Sequence, residues 1–319
     1  PCGSLYRINC GAYSPALTRA SASQAAWDAA GADHRALCLE KTADLLEDNC
    51  QSLIGLIVAE AGRTIDDALS EVREAVDFCR YYAQQGRAYM QTPVSLPGPT
   101  GEVNELTLHG RGVFVCISPW NFPTATAVWK IAPALAFGNA VIWKPANLVP
   151  ASAVALSEII SRQDIPHGLF NLVMGPGGSI GQKLVESPAI NAISFTGSLD
   201  VGKQIATAAI ANLTKVQMEM GSKNALAIMD DGDLDLAVAT ALGGAFGGTG
   251  QKCTASSRLV VHEAIHDEFT DRLVAAASAM KVGHALADGT QIGPVVSAGQ
   301  LAENLQWMET AKQEGGEAL

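Results

Sequence analysis

The chain has 319 residues, and 48% of them are hydrophobic, which suits about two globular domains with sizeable cores. Its net charge of −11 and isoelectric point near 5.0 argue against non-specific nucleic-acid binding. No apolar run reaches the ~18 residues of a membrane-spanning helix.

The N-terminal segment PCGSLYRINCG lacks the basic and then apolar pattern of a secretory signal. The chain begins with Pro1 rather than Met, which predicts that it starts inside a longer protein. Its seven cysteines are dispersed, with no CxxC pair and no metal-like grouping, as is typical of reduced thiols. We therefore expect a cytoplasmic protein.

Residues 1 to about 91 are predicted to be helical. Apolar residues recur at helical spacing over residues 36–46 and again over residues 64–89. A Pro- and Gly-rich stretch then breaks the helix, and residues 102–108 alternate between polar and apolar. We interpret residues 92–111 as a protruding hairpin that serves as an oligomer arm.

Strands and helices alternate from Gly112 onward. Predicted strands VFVCIS, AVIWK, FNLVMG, NAISF and KVQME alternate with helices over residues 125–137, 151–161, 179–185 and 199–211. This order predicts a doubly wound parallel sheet, whose ligands bind beyond the carboxyl ends of the strands. The loops that matter most are then residues 118–121, 144–147, 196–198 and 219–221.

The remaining residues contain two more strands and three helices. Strands ALAIM and SRLVVH are predicted, with helices over residues 234–246, from about 263 to 280, and near 298–313. Cys253 precedes the second strand on a loop that contains Gly247, Gly248 and Gly250, where backbone can approach a ligand closely.

Cys253 and Glu219 are the candidate nucleophile and base. A thiol needs a base or a positive field to become a good nucleophile, and Lys252 would favour the thiolate. An acid that later activates water would complete a covalent two-step cycle. The alternative for a single cysteine among small residues is a buried small hydrophobe.

The stretch GSLDVGK, residues 197–203, matches seven of the eight positions of a P-loop. The eighth is Gln204, an amide where a hydroxyl would hold Mg²⁺. A P-loop nucleotidase is therefore one alternative function. The less demanding interpretation is a helix N-terminus that faces a pyrophosphate.

Two other motifs carry less weight. HEAIH matches a zinc-protease motif, but a strand ending at His262 would keep His262 and His266 off one helix face, so we expect a polar turn and no metal. GPGGSIG misses the dinucleotide fingerprint because Ile180 occupies its last glycine position.

Five short motifs follow one another along the chain: PWNFP at residues 119–123, KP at 144–145, FTGS at 195–198, EMGSK at 219–223 and GQKC at 250–253. In these motifs, and over essentially its whole length, the chain resembles an aldehyde dehydrogenase. Up to residue 123, EVREAVDFCRYY and GVFVCIS resemble the glutamate-semialdehyde dehydrogenase half of bifunctional proline-utilisation enzymes, which implies proline catabolism. From Thr124, KPANLVP and GTGQKCTASSRLVV resemble 2-oxoglutarate-semialdehyde dehydrogenases. Both substrates are C5 acid semialdehydes.

The resemblance implies roles for four catalytic residues. Cys253 would attack the aldehyde, and its backbone N–H would stabilise the oxyanion together with the Asn121 amide. Glu219 would activate water against the thioester, and Lys144 would bind the adenosine ribose of NAD or NADP. The implied cofactor-binding residues are Ser118, Trp120, Asn121, Lys144, Asn147, Gly177, Gly181, Phe195, Gly197, Ser198, Gly202, Glu219 and Gly221.

The implied fold is a Rossmann-like doubly wound α/β domain, a second α/β catalytic domain and a β-hairpin oligomerisation arm. Residues 1–219 would bind NAD(P), and residues 220–319 would form a C-terminally incomplete catalytic domain, because the chain ends before the family's E-x-F-G-P motif. We expect a small aldehyde as substrate, a homo-oligomeric full-length parent and an inactive isolated fragment. A non-catalytic nucleotide-binding fragment is a further alternative.

Asn147 lies where many NAD-specific members carry Glu, which predicts appreciable use of NADP.

Overall fold

The computed structural model describes residues 13–319. The segment PCGSLYRINCG, on which the signal-peptide prediction rests, lies outside the described residues, as do Cys2 and Cys10. The described chain packs as two compact units. One contains the described residues up to Leu56 together with Leu69–Met220, and the other contains Ile57–Ala68 together with Gly221–Leu319.

Four helices form the N-terminal part: α1 (Tyr13–Ala29), α2 (Ala32–Asp48), α3 (Cys50–Ala61) and α4 (Ile65–Met90). In α2 the buried Leu39, Ala43 and Leu46 recur every three to four residues, so one face of the helix packs inward. The buried indole of Trp27 in α1 donates a hydrogen bond to Leu135 O at 2.9 Å. The helices predicted at residues 36–46 and 64–89 are confirmed.

The predicted hairpin is also present. Strands β1 (Val94–Leu96) and β2 (Asn104–Leu106) pair antiparallel, with Val94 opposite Leu106. Pro and Gly between them supply the turn.

Five parallel strands form the sheet of the first unit: β3 (Val113–Ile117), β4 (Ala140–Lys144), β5 (Phe170–Leu172), β6 (Ala192–Gly197) and β7 (Lys215–Met220). Their order is β5-β4-β3-β6-β7. Strands β4 and β5 are added on one side of β3, and β6 and β7 are added on its other side, so the strand order reverses at β3. All five residues of β4 are buried, as expected for a strand covered on both faces.

The connecting helices are α5 (Ala125–Ala136), α6 (Pro150–Ser161), α7 (Gln182–Val185) and α8 (Leu199–Ile210). The helix predicted at residues 179–185 differs in detail, because a single π-helical turn over Gly177–Gly181 precedes a short α7. The doubly wound parallel sheet is confirmed.

The second unit contains a parallel pair of strands, β8 (Asn224–Ile228) and β9 (Ser256–Val261), joined through α9 (Leu234–Phe246). Ile228, Ala241 and Phe269 form its buried core. Asp233 caps α9 by accepting a hydrogen bond from the Leu236 N–H. Helices α10 (His266–Ser278) and α11 (Ala298–Gln313) complete the unit.

The HEAIH stretch is split between two elements. His262 caps a 3₁₀ turn over Glu263–Ile265, whereas His266 is the first residue of α10. The two imidazoles therefore do not share a helix face, as the sequence predicted. Among the described residues, no helix is both long and apolar enough to cross a membrane.

Candidate active site

A cavity of about 260 Å³ lies beyond the carboxyl ends of β3 and β4. Helices α7 and α8 form its sides, next to β3, the strand at which the strand order of the sheet reverses. Nucleotides bind at this position in open parallel sheets. The lining residues are Ile117, Ser118, Lys144, Ala146, Gly177, Gly178, Gly181, Gln182, Val185, Val201, Gln204 and Ile205.

The strand ends that form the cavity floor are locked together. The Ser118 N–H donates to Lys144 O at 3.3 Å, and the Ser118 hydroxyl accepts a hydrogen bond from the Trp143 indole at 2.9 Å. The side chain of Lys144 is only 7% exposed, and burial lowers the pKa of its ammonium. One of its three protons goes to Pro145 O at 3.0 Å. A ligand oxygen in the cavity would meet a partly desolvated cation.

Backbone rather than side chains forms one wall of the cavity. A Cβ added at Gly177 or Gly178 would meet nothing within 4 Å. Ile180, which breaks the dinucleotide fingerprint, is buried, and its Cδ1 would lie 2.2 Å from a Cβ on Gly175. The isoleucine therefore anchors the π-helical turn from inside while the glycines stay open to a ligand.

Helix α8 presents its first two turns to the cavity. Ser198 caps the helix, its hydroxyl accepting from the Val201 N–H at 3.4 Å. The cavity is lined on this side by Val201, Gln204 and Ile205, at positions i, i+3 and i+4 of the helix. These three were not predicted as cavity residues. They could have been predicted, because residues at this spacing share one helix face in the first turns after a strand end.

The GSLDVGK stretch does not form a phosphate-wrapping loop. Strand β6 ends at Gly197 and α8 begins at Leu199, so Gly202 and Lys203 lie inside the helix. A P-loop needs a Gly-rich loop between its strand and helix. The structure therefore gives the nucleotidase alternative no support.

Two predicted glycines have a packing role. A Cβ on Gly197 would lie 2.5 Å from the Phe195 ring, and one on Gly202 would lie 2.4 Å from Met220 Sδ. Neither glycine lines the cavity, so the small size of both is explained by neighbouring side chains.

The cavity brings together Ser118, Lys144, Gly177 and Gly181 from the predicted cofactor set. The other predicted residues are outside its lining: Trp120, Asn121, Asn147, Phe195, Gly197, Ser198, Gly202, Glu219 and Gly221. Asn121 lies in the bend between β3 and α5, and Asn147 is exposed in the turn after β4. Their roles stay predictions.

Glu219, near the end of β7, belongs to a hydrogen-bonded series of side chains. It accepts from Gln217 Nε2 at 2.7 Å, and Gln217 Oε1 accepts from the Ser194 hydroxyl, also at 2.7 Å. Lys130 of α5 donates to the same hydroxyl at 3.2 Å. Its side chain is 4% exposed, and burial lowers the pKa of Lys130 to about 8, against the opposing effects of Cys116 and Glu219.

Lys130, Ser194 and Gln217 were not among the predicted site residues. The sequence feature that could have indicated Lys130 is a single lysine inside the apolar helix AVWKIAPALA, because a lysine is almost never fully buried unless it is paired.

Cys253 lies in the second unit, on the loop between α9 and β9, and it is exposed. The side-chain amide of Asn224 donates to Cys253 O at 2.8 Å and to Ala255 O at 3.2 Å, which holds the backbone at the cysteine and two residues after it. Gly248 and Gly250 have φ values of 61° and 65°, so the turn that precedes the cysteine needs glycine there.

Lys252 forms an ion pair with a carboxylate. Its Nζ lies 3.5 Å from Asp67 Oδ1, and both side chains are partly buried. The prediction that Lys252 provides a positive field at Cys253 did not include Asp67, whose carboxylate offsets the charge of Lys252.

The chain is similar to known proteins over almost its whole length. The sequence profile of the aldehyde dehydrogenase family matches residues 3–319. The alpha-ketoglutaric semialdehyde dehydrogenase of Bacillus subtilis is 37% identical over 307 residues, which cover 95% of this chain and 62% of that protein. This chain spans less than two thirds of that relative.

Two solved structures share the fold. An NADP-dependent enzyme of E. coli superposes with a TM-score of 0.93 at 32% identity, over 98% of this chain and 65% of that one. A structure of proline utilization A with proline bound in remote sites gives a TM-score of 0.91 at 36% identity, over 96% and 32% of the two chains.

Proposed function

Because this chain belongs to the aldehyde dehydrogenase family, we propose that it provides the dinucleotide cavity and the thiol loop of an NAD(P)-dependent enzyme that oxidises an aldehyde. The observation that carries the proposal is the cavity at the sheet reversal, lined by a buried lysine and a side-chain-free glycine wall.

The cavity has the donors and surfaces that a dinucleotide needs. Val185, Val201 and Ile205 offer apolar surface for an adenine ring, and Lys144 and Ser118 offer polar groups for ribose hydroxyls. The capped N-terminus of α8 favours phosphate charge. When bound, the nicotinamide group would supply the hydride acceptor for the oxidation.

The proposed chemistry uses a thiol, an amide and a carboxylate. The Cys253 thiolate would add to the aldehyde carbon, while the Asn121 amide and the Cys253 N–H hold the developing oxyanion. Loss of hydride leaves a thioester on Cys253. Glu219 would then take a proton from water, whose oxygen attacks the thioester and releases the carboxylate and the thiol. For the domain roles, we propose that residues 1–219 bind the cofactor and residues 220–319 carry the nucleophile, although residues 57–68 pack with the second unit.

We propose a C5 acid semialdehyde as substrate, either glutamate semialdehyde or 2-oxoglutarate semialdehyde. The support is the names of two similar proteins, an alpha-ketoglutaric semialdehyde dehydrogenase and proline utilization A. The exposed apolar residues of the hairpin, Val94, Val103 and Leu106, support its proposed role as an oligomer contact.

The test is a panel of aldehydes assayed by NAD(P)H absorbance, with each cofactor, on the full-length protein that contains this chain. We expect turnover with the two C5 semialdehydes and none in a Cys253→Ala variant. Cofactor binding without any turnover would favour a non-catalytic nucleotide-binding chain instead. Phosphate release from ATP and Mg²⁺ would favour the nucleotidase alternative.

A further inference from the structure

The loop that carries Cys253 is held by a segment that is distant in sequence. Residues 57–68, the end of α3 and the start of α4, pack within the second unit rather than with the other N-terminal helices. Arg63 and Asp67 of this segment both contact the loop.

Arg63 fixes the start of the loop. Its side chain is 2% exposed, and its Nη1 donates to Gly248 O at 2.9 Å. A Cβ on Gly248 would lie 2.1 Å from that nitrogen, so the glycine lets the guanidinium reach the backbone. A charge-assisted hydrogen bond in a buried place is stronger than a neutral one.

Asp67 fixes the end of the loop. Thr64 orients the carboxylate, because its hydroxyl donates to Asp67 Oδ2 at 2.9 Å and accepts from the Asp67 N–H at 3.3 Å. The other oxygen, Oδ1, faces Lys252 Nζ at 3.5 Å. Lys252 is the residue immediately before Cys253, so this ion pair acts next to the thiol.

The backbone between these two contacts is strained. Thr249 has a φ of 62°, which a β-branched residue rarely adopts, and its hydroxyl donates to Gly293 O at 3.1 Å. A conformation of this kind persists only where the surroundings enforce it. Removal of a contact at either end should therefore let the loop relax and move Cys253.

We infer that Arg63 and Asp67 are positioning residues for the Cys253 thiol, acting through Gly248 and Lys252. The role in turnover rests on the proposed aldehyde oxidation. The role in holding the loop does not, since it follows from the contacts alone. A displacement of ~1 Å at a reacting atom can cost ~100-fold in rate.

The first experiment measures the loop directly. Hydrogen exchange of residues 248–253 and the rate at which iodoacetamide labels Cys253 are compared in the unmodified chain, Arg63→Met and Arg63→Lys. Arg35→Met is the matched control, since Arg35 is also a buried arginine that donates to carbonyl oxygens, but in the first unit.

We expect Arg63→Met to speed hydrogen exchange of the loop by about tenfold, which is the effect of losing one buried charge-assisted hydrogen bond. The rate of Cys253 labelling should change by about threefold or more. Arg63→Lys should restore part of the protection, and Arg35→Met should leave the loop unchanged. Loop exchange and labelling within twofold of the unmodified chain in Arg63→Met would overturn the inference. So would parallel loss of protection in α10, which would show that Arg63 supports the whole unit rather than the loop.

The second experiment asks whether Asp67 acts through Lys252. Asp67→Asn, Lys252→Met and the double variant form a cycle, with Asp66→Asn on the exposed neighbour as control. We expect Asp67→Asn to lower turnover with semialdehyde by about tenfold at little change in KM, and to alter Cys253 labelling. In the Lys252→Met background the same change should have little further effect on either.

Additive effects across the cycle would overturn the link between Asp67 and Lys252. If the unmodified full-length protein shows no turnover at all, the proposed function fails, whereas exchange and labelling still decide the positioning inference.

Discussion

Among the described cysteines, accessibility singles out one thiol. Cys79 and Cys116 are fully buried, and burial raises the pKa of each to about 12, so neither forms a thiolate at neutral pH. Cys38 is buried as well, whereas Cys253 is exposed on a glycine-containing loop. Position and exposure together therefore favour Cys253 as the nucleophile.

The first prediction concerns that thiol. Cys253→Ala should abolish aldehyde oxidation and leave the dissociation constant of NAD(P) within about twofold, because the cavity residues belong to the other unit. Steady-state assays and cofactor titration measure the two quantities. Cys50→Ala, which removes a half-buried thiol in α3, is the control and should keep full turnover. Turnover near that of the unmodified enzyme in Cys253→Ala would exclude the assignment.

The second prediction concerns Lys130. Its pKa falls from the ordinary 10.5 to about 8 because the side chain is buried, so the folded chain binds this proton less tightly than the unfolded chain does. The free energy of unfolding should therefore rise with pH between these two values, and the full cost of burying the charge, on the order of 3 kcal/mol, is present below about pH 8.

Lys130→Met should thus raise the melting temperature at pH 7, because it removes a buried charge. The gain in melting temperature should shrink as the pH approaches 10, where the lysine is neutral in the folded chain. Thermal melts across this range measure the effect. Lys203→Met, on the exposed face of α8, is the control and should show no such trend. A gain that stays constant with pH would mean that lost charge is not its cause.

At the level of elements, the strands and helices were largely predictable because their hydrophobic periods are regular. The first four residues of strand β4 are apolar, and α2 repeats its apolar residues every three to four positions. The π-helical turn before α7 was not predictable, since GPGGSIG carries no helical period and its shape depends on Ile180 packing against Gly175. The placement of Gly202 and Lys203 inside α8 likewise depends on where β6 ends.

The third prediction belongs to the turn over Gly247–Gly250. Gly248→Ala should destabilise the second unit by about 2 kcal/mol or more, because alanine is strained at a φ of 61° and its Cβ would clash with the Arg63 guanidinium. Gly243→Ala is the matched control. Gly243 lies inside α9 with nothing within 4 Å of an added Cβ, so alanine there should stabilise by about 1 kcal/mol.

Urea unfolding followed by circular dichroism measures both glycine variants. Equal effects at the two positions would show that the left-handed turn is not required.

At the scale of the whole molecule, the loops of the candidate site could be predicted from the sequence, but the contact between residues 57–68 and the Cys253 loop could not. Residues 57–68 read as part of one helical region, yet they pack with the second unit, where Arg63 and Asp67 meet the Cys253 loop. Neither residue stands out in the sequence, because an arginine and an aspartate near a helix start are most often solvated. Such a role depends on tertiary contacts that no local period encodes.

The last prediction concerns the net charge of −11 and cofactor choice. NADP carries an extra phosphate, so the overall field of the protein disfavours it relative to NAD. That field extends about 30 Å at 0.01 M salt but only about 8 Å at 0.15 M, where local groups decide instead. The cavity lining contains one cation, Lys144, and no carboxylate, and the nearby Asn147 is uncharged.

We therefore expect NADP to bind nearly as well as NAD at physiological salt, and the ratio of their dissociation constants to move toward NAD as salt is removed. Titrations of both cofactors at the two salt concentrations measure this ratio. Asn147→Glu should favour NAD at both concentrations, because a carboxylate near the ribose accepts the 2′-hydroxyl and repels a 2′-phosphate at short range. A ratio that moves toward NADP when salt is removed would show that Lys144, rather than the net charge, controls the approach of the 2′-phosphate.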